Sequence, residues 1–282
     1  MFVSLMCDLV GVEVFEPFTV VEYARRFGFA GVDLRMDHVA KVVRMEEAGK
    51  LVGAMDQAGV VAGYCSLVSG RVSVAEEVWR EGMKALPELC GLARALGFDR
   101  AATVVLPGDD AREFAENEKL HVARVREAMD VMGDFGIRLG LEYVSPQTRR
   151  AGFRFPYIHD LRGALELIAK IDRKGVGLML DSFHWHCARE TGEDVLQLTN
   201  EQVVVVHLND ALAGRGLDEQ VVNEREMPGE SGVIDLGIFL GSLQSIGYDG
   251  PVTCEPTNAK WGKMDVEQVL ERTGQAMRNW VS

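Results

Sequence analysis

Short apolar runs alternate along this chain with longer segments in which apolar residues recur at helical spacing. Each run is aliphatic or β-branched through its centre, as a strand buried on both faces requires. Eight such strand-and-helix units can be counted, which is typical of successive βα units around a parallel sheet. The predicted strands are Phe2–Leu9, Gly31–Met36, Val60–Val68, Ala101–Leu106, Arg138–Val144, Val176–Leu180, Val203–Leu208 and Pro251–Cys254.

The segments between these strands predict helices, several of which stop at a glycine that suits a helix C-terminus. The pattern is weaker after Asp181, where only a short helix near Asp194–Leu198 is expected. The predicted helices are Val20–Phe27, Glu46–Gln57, Val74–Ala95, Glu113–Phe135, Asp160–Ile171, Leu236–Ser245 and Val266–Trp280.

Eight βα units in 282 residues predict an α/β fold, a (β/α)8 TIM barrel formed as one domain by residues 1–282. An open doubly wound sheet is the alternative. Such a sheet usually carries a glycine-rich phosphate-binding turn after its first strand, and the segment Cys7–Gly11 is not one. The barrel is therefore the favoured architecture.

Composition narrows the functional classes. The formal charge of -13 argues against a nucleic-acid binder, because that affinity rests on lysine and arginine. No apolar run approaches the roughly 20 residues that span a bilayer, so no membrane segment is expected. The cysteines are five in number and widely spaced, which indicates reduced thiols and a cytoplasmic protein.

Four of the predicted strands end in a side chain that can bind a metal ion. In barrel enzymes the C-terminal ends of the strands form the catalytic face. A carboxylate in such apolar surroundings is costly without a partner, and a shared cation supplies the compensating charge. The four residues are Glu142, Asp181, His207 and Glu255.

Three carboxylates and one imidazole predict a single divalent cation. Mn²⁺ is expected first, with Mg²⁺, Co²⁺ and Zn²⁺ as alternatives. In the competing interpretation each carboxylate only caps a helix or pairs with an arginine. That role is reasonable for one residue, but its repetition at four strand ends favours a metal site.

Other side chains near these strand ends are candidates for substrate contact. His184, in the segment Asp181-Ser-Phe-His-Trp-His, is expected to donate a hydrogen bond to a substrate oxygen, with a surface loop as the alternative. Trp185 and Trp261 either form the wall against which the ring of a substrate packs, or pack under a loop. Three loop arginines are interpreted as a solvated basic surface, with a site for an acidic group as the alternative: Arg149, Arg150 and Arg154.

Several motifs at the strand ends carry a family resemblance. They are Asp181-Ser-Phe-His, His207 with Asn209-Asp210, Arg225-Glu-Met-Pro-Gly229 with Gly232-Val-Ile-Asp235, and Gly247-Tyr-Asp-Gly-Pro-Val ahead of Glu255. Together they resemble the xylose isomerase-like superfamily of sugar isomerases and epimerases. The stretch from Val176 to His186 and the long insert before Arg225 most resemble its inosose (2-keto-myo-inositol) isomerase branch, and the ketose 3-epimerases are also similar.

The resemblance implies that Glu142, Asp181, His207 and Glu255 bind the metal. It also implies that His184 and Arg225 contact substrate oxygens, although an arginine in a long polar loop has no special standing by itself. The chain departs from the ketose 3-epimerases at Thr148, where they carry another glutamate. This difference argues against free ketoses as the substrate. It does not affect the predicted metal ligands.

The resulting hypothesis is a metal-dependent sugar or cyclitol isomerase or epimerase that transfers a proton through a metal-stabilised enediolate. Glu142 and Glu255 are the expected proton carriers, in either order. The alternative is a dehydratase or lyase acting on a keto-sugar or inosose, including 3-keto-glycoside cleavage. A non-catalytic sugar-binding barrel and an apurinic endonuclease-like nuclease are further alternatives. The expected binding partner is a small-molecule substrate. The sequence is compatible with a monomer or with a homo-oligomer.

Overall fold

The structure is a computed structural model that describes residues 1–68 and 71–281. The strands of this part are β1 (Phe2–Leu5), β2 (Gly31–Arg35), β3 (Val61–Ser66), β4 (Arg100–Val105), β5 (Gly108–Asp109), β6 (Arg138–Tyr143), β7 (Phe155–Pro156), β8 (Val176–Asp181), β9 (Val203–Leu208) and β10 (Pro251–Cys254). Eight of them close a parallel barrel in the order β1-β10-β9-β8-β6-β4-β3-β2. The predicted (β/α)8 barrel is therefore confirmed.

Helices surround this barrel, and no helix of the described chain is long and apolar enough to cross a membrane. Their bounds are α1 (Pro17–Phe27), α2 (Met36–Val42), α3 (Ala48–Ala58), α4 (Glu76–Ala95), α5 (Phe114–Met132), α6 (Gln147–Arg150), α7 (Leu161–Ile171), α8 (Ser182–Cys187), α9 (Gly192–Leu196), α10 (Leu236–Ser245) and α11 (Val266–Arg278).

The elements differ from the sequence prediction mainly in the loops after the strands. The first strand ends at Leu5 rather than Leu9, because Cys7–Val10 turns into a 3-10 helix that still buries Cys7 and Val10. The short helices α2, α6 and α8 were not predicted, and neither was the antiparallel pair of β5 and β7. These helices span at most two turns and these strands two residues each, which is too short for a hydrophobic period to be recognised in the sequence.

A polar clamp joins four strands inside the barrel. Asp33 on β2 is buried and accepts hydrogen bonds from Ser4 Oγ at 2.7 Å, from the amide of Tyr64 at 2.8 Å and from Thr253 Oγ1 at 2.6 Å. A Cβ at Gly63 would lie 2.1 Å from Asp33 Oδ1, so this strand position requires glycine. These hydrogen bonds fix the position of β3 along β2. They therefore also fix the position of Tyr64, whose amide takes part in them.

Glu190 links the loop after α8 to the barrel and carries a testable pH dependence. Its carboxylate accepts hydrogen bonds from Tyr143 Oη and from the amide of Leu161 at 2.6 Å. Burial nevertheless raises the pKa of Glu190 from its ordinary value of 4.5 to about 7. A group with a raised folded-state pKa stabilises the fold below its unfolded pKa, and this contribution is lost as the pH rises through the folded pKa.

We therefore expect the free energy of unfolding to fall between about pH 5 and pH 8 by an amount that Glu190→Gln removes, since glutamine stays neutral throughout. Urea unfolding of both proteins across this range measures the difference, in which the other titrating groups cancel. Parallel pH profiles for the two proteins would contradict the prediction.

Candidate metal centre

The four metal-capable side chains come together at the C-terminal end of the barrel. One ligand atom from each lies within 4.8 Å of those of the others. Strand register explains the juxtaposition: Asp181 on β8 pairs with His207 on β9, and Glu255 directly follows β10, the next strand around the barrel. Glu142 comes from β6 on the far side of β8. The sequence prediction that these residues share one edge thus corresponds to one compact cluster.

The hydrogen bonding of the cluster tests whether a cation fits it. Glu142 Oε1 is buried and has no hydrogen-bond partner within the described part of the chain, although it lies 3.8 Å from His207 Nδ1. A buried carboxylate oxygen without a partner is costly, and coordination to a cation removes that cost. Carboxylate oxygens with one imidazole nitrogen suit Mn²⁺, Mg²⁺, Co²⁺ or Zn²⁺. The residues present fit one divalent cation.

Arg225 is a buried cation that contacts two residues of the cluster. Its Nη1 donates to Asp181 Oδ2 at 2.9 Å and to Glu255 Oε2 at 2.7 Å. Its Nε donates to the carbonyl of Val222 at 2.8 Å, and its guanidinium carbon lies 4.7 Å from the centre of the Phe183 ring. The resemblance assigned Arg225 to the substrate. The structure places it between the proposed ligands and a cavity whose wall it also forms.

The two glutamates have opposite electrostatic surroundings. Burial raises the pKa of Glu142 well above its ordinary value, and the charge of Glu255 raises it further. Burial also acts to raise the pKa of Glu255, but Arg225 and His207 outweigh it and hold that pKa far below its usual range. For His207, burial lowers the pKa, but the surrounding carboxylates, Glu255 first, raise it to about 9. Of the two glutamates, Glu142 is therefore the one that needs a cation in order to ionise.

Tyr64 determines which nitrogen of His207 faces the carboxylates. The phenol oxygen lies 2.9 Å from His207 Nε2, and its proton points to the sulfur of Met6 at 3.5 Å. The oxygen is then an acceptor for Nε2–H, which leaves Nδ1 to face Glu255 Oε2 at 3.3 Å. Histidine ligands of metals usually donate their second ring N–H to such a partner, which fixes the tautomer and the ring plane.

We expect Tyr64→Phe to weaken divalent-metal binding by about tenfold or more, the usual effect of losing a hydrogen bond to a ligand histidine. Titration of metal-free protein with Mn²⁺ measures the dissociation constant directly. Tyr157→Phe is the matched control, because the buried Tyr157 hydroxyl has no hydrogen-bond partner in the described residues. Equal metal affinity of the Tyr64 variant and wild type would show that the phenol does not orient His207.

His184 lies beside the cluster in α8, whose first turn is capped by Asp181. Asp181 Oδ1 accepts from the amides of Phe183 at 2.7 Å and His184 at 3.0 Å. The ring of His184 receives the Ser145 amide on Nδ1 at 3.3 Å, and its Nε2 lies 3.2 Å from Arg225 Nη2. Burial lowers the pKa of His184 to about 4. His184 is therefore a neutral imidazole at the cavity wall.

A cavity of about 510 Å³ borders the cluster. Of the four proposed ligands, Glu142 and Glu255 contribute to its lining, together with His184 and Arg225. Pockets of this size hold a small sugar or cyclitol with room for its hydroxyl groups. The two glutamates are thus the members of the cluster that a molecule in the cavity would meet.

The loops that close this cavity are ordered by two buried polar side chains. Asp210 accepts the amide of Ile234 at 3.0 Å on one oxygen and the amide of Gly232 at 2.7 Å on the other, which folds the long insert after β9 back on itself. Gln220 is fully buried within that insert, where its side-chain amide accepts from the Leu212 amide at 3.1 Å and donates to the Leu212 carbonyl at 3.0 Å. The main-chain carbonyl of Gln220 accepts a hydrogen bond from Thr148 Oγ1 at 2.6 Å. Thr148 therefore joins the loop after β6 to the insert.

A family model described as xylose isomerase-like TIM barrel matches residues 21–280. The chain belongs to this family. Among curated relatives, the inosose isomerase of Bacillus subtilis (strain 168) is 27% identical over 192 residues, which are 67% of this chain and 63% of that protein. The matched region therefore spans less than two thirds of that relative.

Two further similarities extend over more of the xylose isomerase-like barrel. The probable ketose 3-epimerase of Synechocystis sp. is 24% identical over 250 residues, 85% of this chain and 78% of that protein. The crystal structure of the IOLI protein with a binding zinc atom superimposes with a TM-score of 0.81 at 20% identity, and covers 100% of this chain and 98% of that one. The relatives are thus named as sugar or cyclitol isomerases and epimerases, and the structural similarity concerns the fold.

The structure places the two tryptophans away from the cavity of this family member. Trp185 is buried against Phe239, with ring centroids 5.3 Å apart, and donates its indole N–H to the carbonyl of Thr191 at 3.2 Å. Trp261 is buried and donates to the carbonyl of Pro256 at 2.6 Å. Neither ring is among the described residues that line the cavity. Both have the packing role that the sequence left open as the alternative.

Sequence reasoning missed two residues that hold the proposed ligands in place. Asn209 Nδ2 donates to Asp181 Oδ2 at 2.9 Å, and Tyr64 contacts His207 as described above. Asn209 could have been predicted, because it lies two positions after His207 in one of the motifs that carry the family resemblance. Tyr64 gives no comparable signal, since a tyrosine in a strand is more often a packing residue.

Proposed function

We propose that this protein is a divalent-metal-dependent isomerase or epimerase of a sugar or cyclitol keto compound. The observation that carries the proposal is the buried cluster of Glu142, Asp181, His207 and Glu255 at the edge of a sugar-sized cavity. Two findings support it: the unpartnered Glu142 Oε1, and the zinc atom in the IOLI protein, which shares this fold. Mn²⁺ as the working cation, an inosose as substrate and the cytoplasm as location belong to the same proposal.

Glu142, Asp181, His207 and Glu255 would hold the cation. When bound, a divalent cation supplies Lewis acidity that stabilises the negative charge developing on adjacent carbonyl and hydroxyl oxygens. Asp181 and His207 are held by Asn209 and Tyr64, so they serve as fixed supports. Glu142 and Glu255 border the cavity and so can also exchange a proton with the substrate.

The proton moves between the carbon next to the carbonyl and one glutamate. The other glutamate returns a proton, either to the opposite face of the same carbon, which is epimerisation, or to the neighbouring carbon, which is isomerisation. Glu142 at β6 and Glu255 after β10 approach from different sides of His207 and Asp181, as such a two-sided transfer requires. His184 Nδ1 accepts the amide of Ser145, so the neutral ring carries its proton on Nε2 and can donate it to a substrate oxygen.

Proton exchange in D₂O tests the proposal directly. The Mn²⁺-loaded protein is incubated with inososes, ketoses and 3-keto glycosides, and deuterium next to the carbonyl is measured by NMR, with chelated protein as the control. We expect metal-dependent exchange with an epimer or isomer as product. Exchange accompanied by loss of water or of a glycosidic group would instead assign the dehydratase or lyase activity. Absence of exchange across the panel would contradict both.

A further inference from the structure

Two arginines border the cavity without belonging to the metal cluster. Arg71 and Arg149 both belong to its lining, and the acidic residues of that lining, within the described chain, are Glu142 and Glu255. Both glutamates are assigned to the cation. Positive side chains in this pocket contrast with a chain whose formal charge is -13. They are the charged groups that the proposed function has not used.

The segment that carries Arg71 is anchored at its backbone. Arg71 forms an isolated parallel bridge with Val104 at the end of β4. The next residues are held by Arg124 of α5, whose buried guanidinium donates to the carbonyl of Val72 at 2.8 Å and to that of Val74 at 2.6 Å. The buried side chain of Arg124 thus holds the loop that brings Arg71 to the cavity.

Arg149 is presented by a second fixed segment. It lies in α6 next to Thr148, whose hydroxyl donates to the carbonyl of Gln220 in the opposite loop. Its guanidinium carbon is 4.7 Å from the centre of the Phe153 ring. Stacking on an aromatic face orients the guanidinium plane and leaves its edge free for a planar anion. Arg149 therefore has a backbone held in place by its helix and a guanidinium group with a preferred orientation.

The charges of the pocket indicate what such an edge would bind. With a divalent cation in place, the three carboxylates of the centre are balanced by that cation together with Arg225. The charges of the metal centre then cancel, so Arg71 and Arg149 give the cavity lining a net positive charge. Guanidinium groups bind carboxylate and phosphate through paired, charge-assisted hydrogen bonds.

We propose that the substrate carries an anionic group, a carboxylate or a phosphate, which Arg149 and Arg71 bind while the carbonyl end reaches the metal centre. This inference rests on the proposed function, because it concerns a second group of the same substrate. It replaces the sequence interpretation of Arg149 as part of a solvated basic loop. It also replaces the inosose named under the proposed function, since neutral inososes and ketoses would be weaker substrates than keto acids or keto phosphates.

The test compares matched probes on the Mn²⁺-loaded protein by the rate of deuterium exchange in D₂O. The neutral probes are 2-keto-myo-inositol and fructose, the carboxylate probe is fructuronate, and the phosphate probe is fructose 6-phosphate; the last two carry the anionic group on the same carbon, C6. We expect kcat/KM for one anionic probe to exceed that of the neutral probes by about tenfold or more, as a charged hydrogen bond would give. The preferred anionic probe distinguishes the two chemistries.

Arg149→Gln is expected to lower kcat/KM for the preferred anionic probe by about tenfold more than for the neutral probes. Arg71→Gln should act in the same direction, and Arg149→Lys should retain more activity than Arg149→Gln because it keeps the charge. Arg154→Gln is the matched control: Arg154 stacks on Phe155 in the same loop, 4.8 Å from ring to guanidinium carbon, and does not line the cavity. Equal Mn²⁺ affinity of all variants shows that the metal centre is intact.

Faster exchange of the neutral probes, with no effect of Arg149→Gln on any probe, would overturn the anionic substrate while leaving the isomerase proposal in place. Absence of exchange with every probe would overturn the proposed function and this inference together. A loss in Arg149→Gln that is equal for neutral and anionic probes would also overturn it, since such a loss reports loop structure rather than charge recognition.

Discussion

Glu142→Gln and Glu255→Gln are each expected to lower the rate of deuterium exchange by about a thousandfold, within the range that a positioned acid or base contributes. Glutamine keeps the size and one oxygen of the carboxylate but cannot accept the proton. Substrate binding should change much less, because the cavity wall, His184 and Arg225 remain. Single-turnover exchange and equilibrium binding of the same probe separate the two effects.

Metal content must be measured for both glutamine variants, because each change also removes a proposed ligand. Saturation with Mn²⁺ restores occupancy if affinity alone has fallen, and the remaining deficit then reports proton transfer. Glu230→Gln is the control, since Glu230 pairs with Arg272 and is outside the cavity lining. Near-native exchange in either metal-loaded variant would refute its assignment as a proton carrier.

The barrel and the positions of the four acidic or imidazole side chains could be predicted because both depend on one simple property. A strand buried on both faces must be apolar, so a charged residue at its end stands out, as Asp181 does after Val176–Leu180. The carboxyl ends of parallel strands gather at one face, so four such residues are brought together by topology alone. Their spacing within 4.8 Å agrees with that expectation.

The contacts around these residues could not be predicted in the same way. Arg225 is far from Asp181 in sequence and lies in a long polar insert, where periodicity is lost and most arginines are solvated. Its ion pair depends on how Asp210 and Gln220 fold that insert, which is a tertiary property. Trp185 illustrates the converse, since an aromatic residue near a strand end has the same sequence signature whether it faces a ligand or the core.

The ion pairs of Arg225 lead to a second large effect, which appears in stability rather than in turnover. Replacement of one partner of a buried ion pair leaves the other charge uncompensated and usually costs about 3 to 5 kcal/mol. Arg225→Met removes the donor to Asp181 and Glu255 while keeping an extended apolar side chain against Phe183. In the presence of a chelator, we expect its free energy of unfolding to fall by about this amount.

Mn²⁺ should reverse part of that loss, because a bound cation supplies the positive charge that the two carboxylates have lost. The increase in unfolding free energy on adding Mn²⁺ is therefore expected to be larger for Arg225→Met than for wild type, as measured by urea unfolding with chelator or with excess metal. Arg100→Met is the matched control: Arg100 donates to the carbonyl of Val204 at 2.9 Å at the opposite end of the barrel, so its loss should destabilise both states equally. An equal Mn²⁺ effect in Arg225→Met and wild type would mean that Arg225 and the cation do not stabilise the same carboxylates.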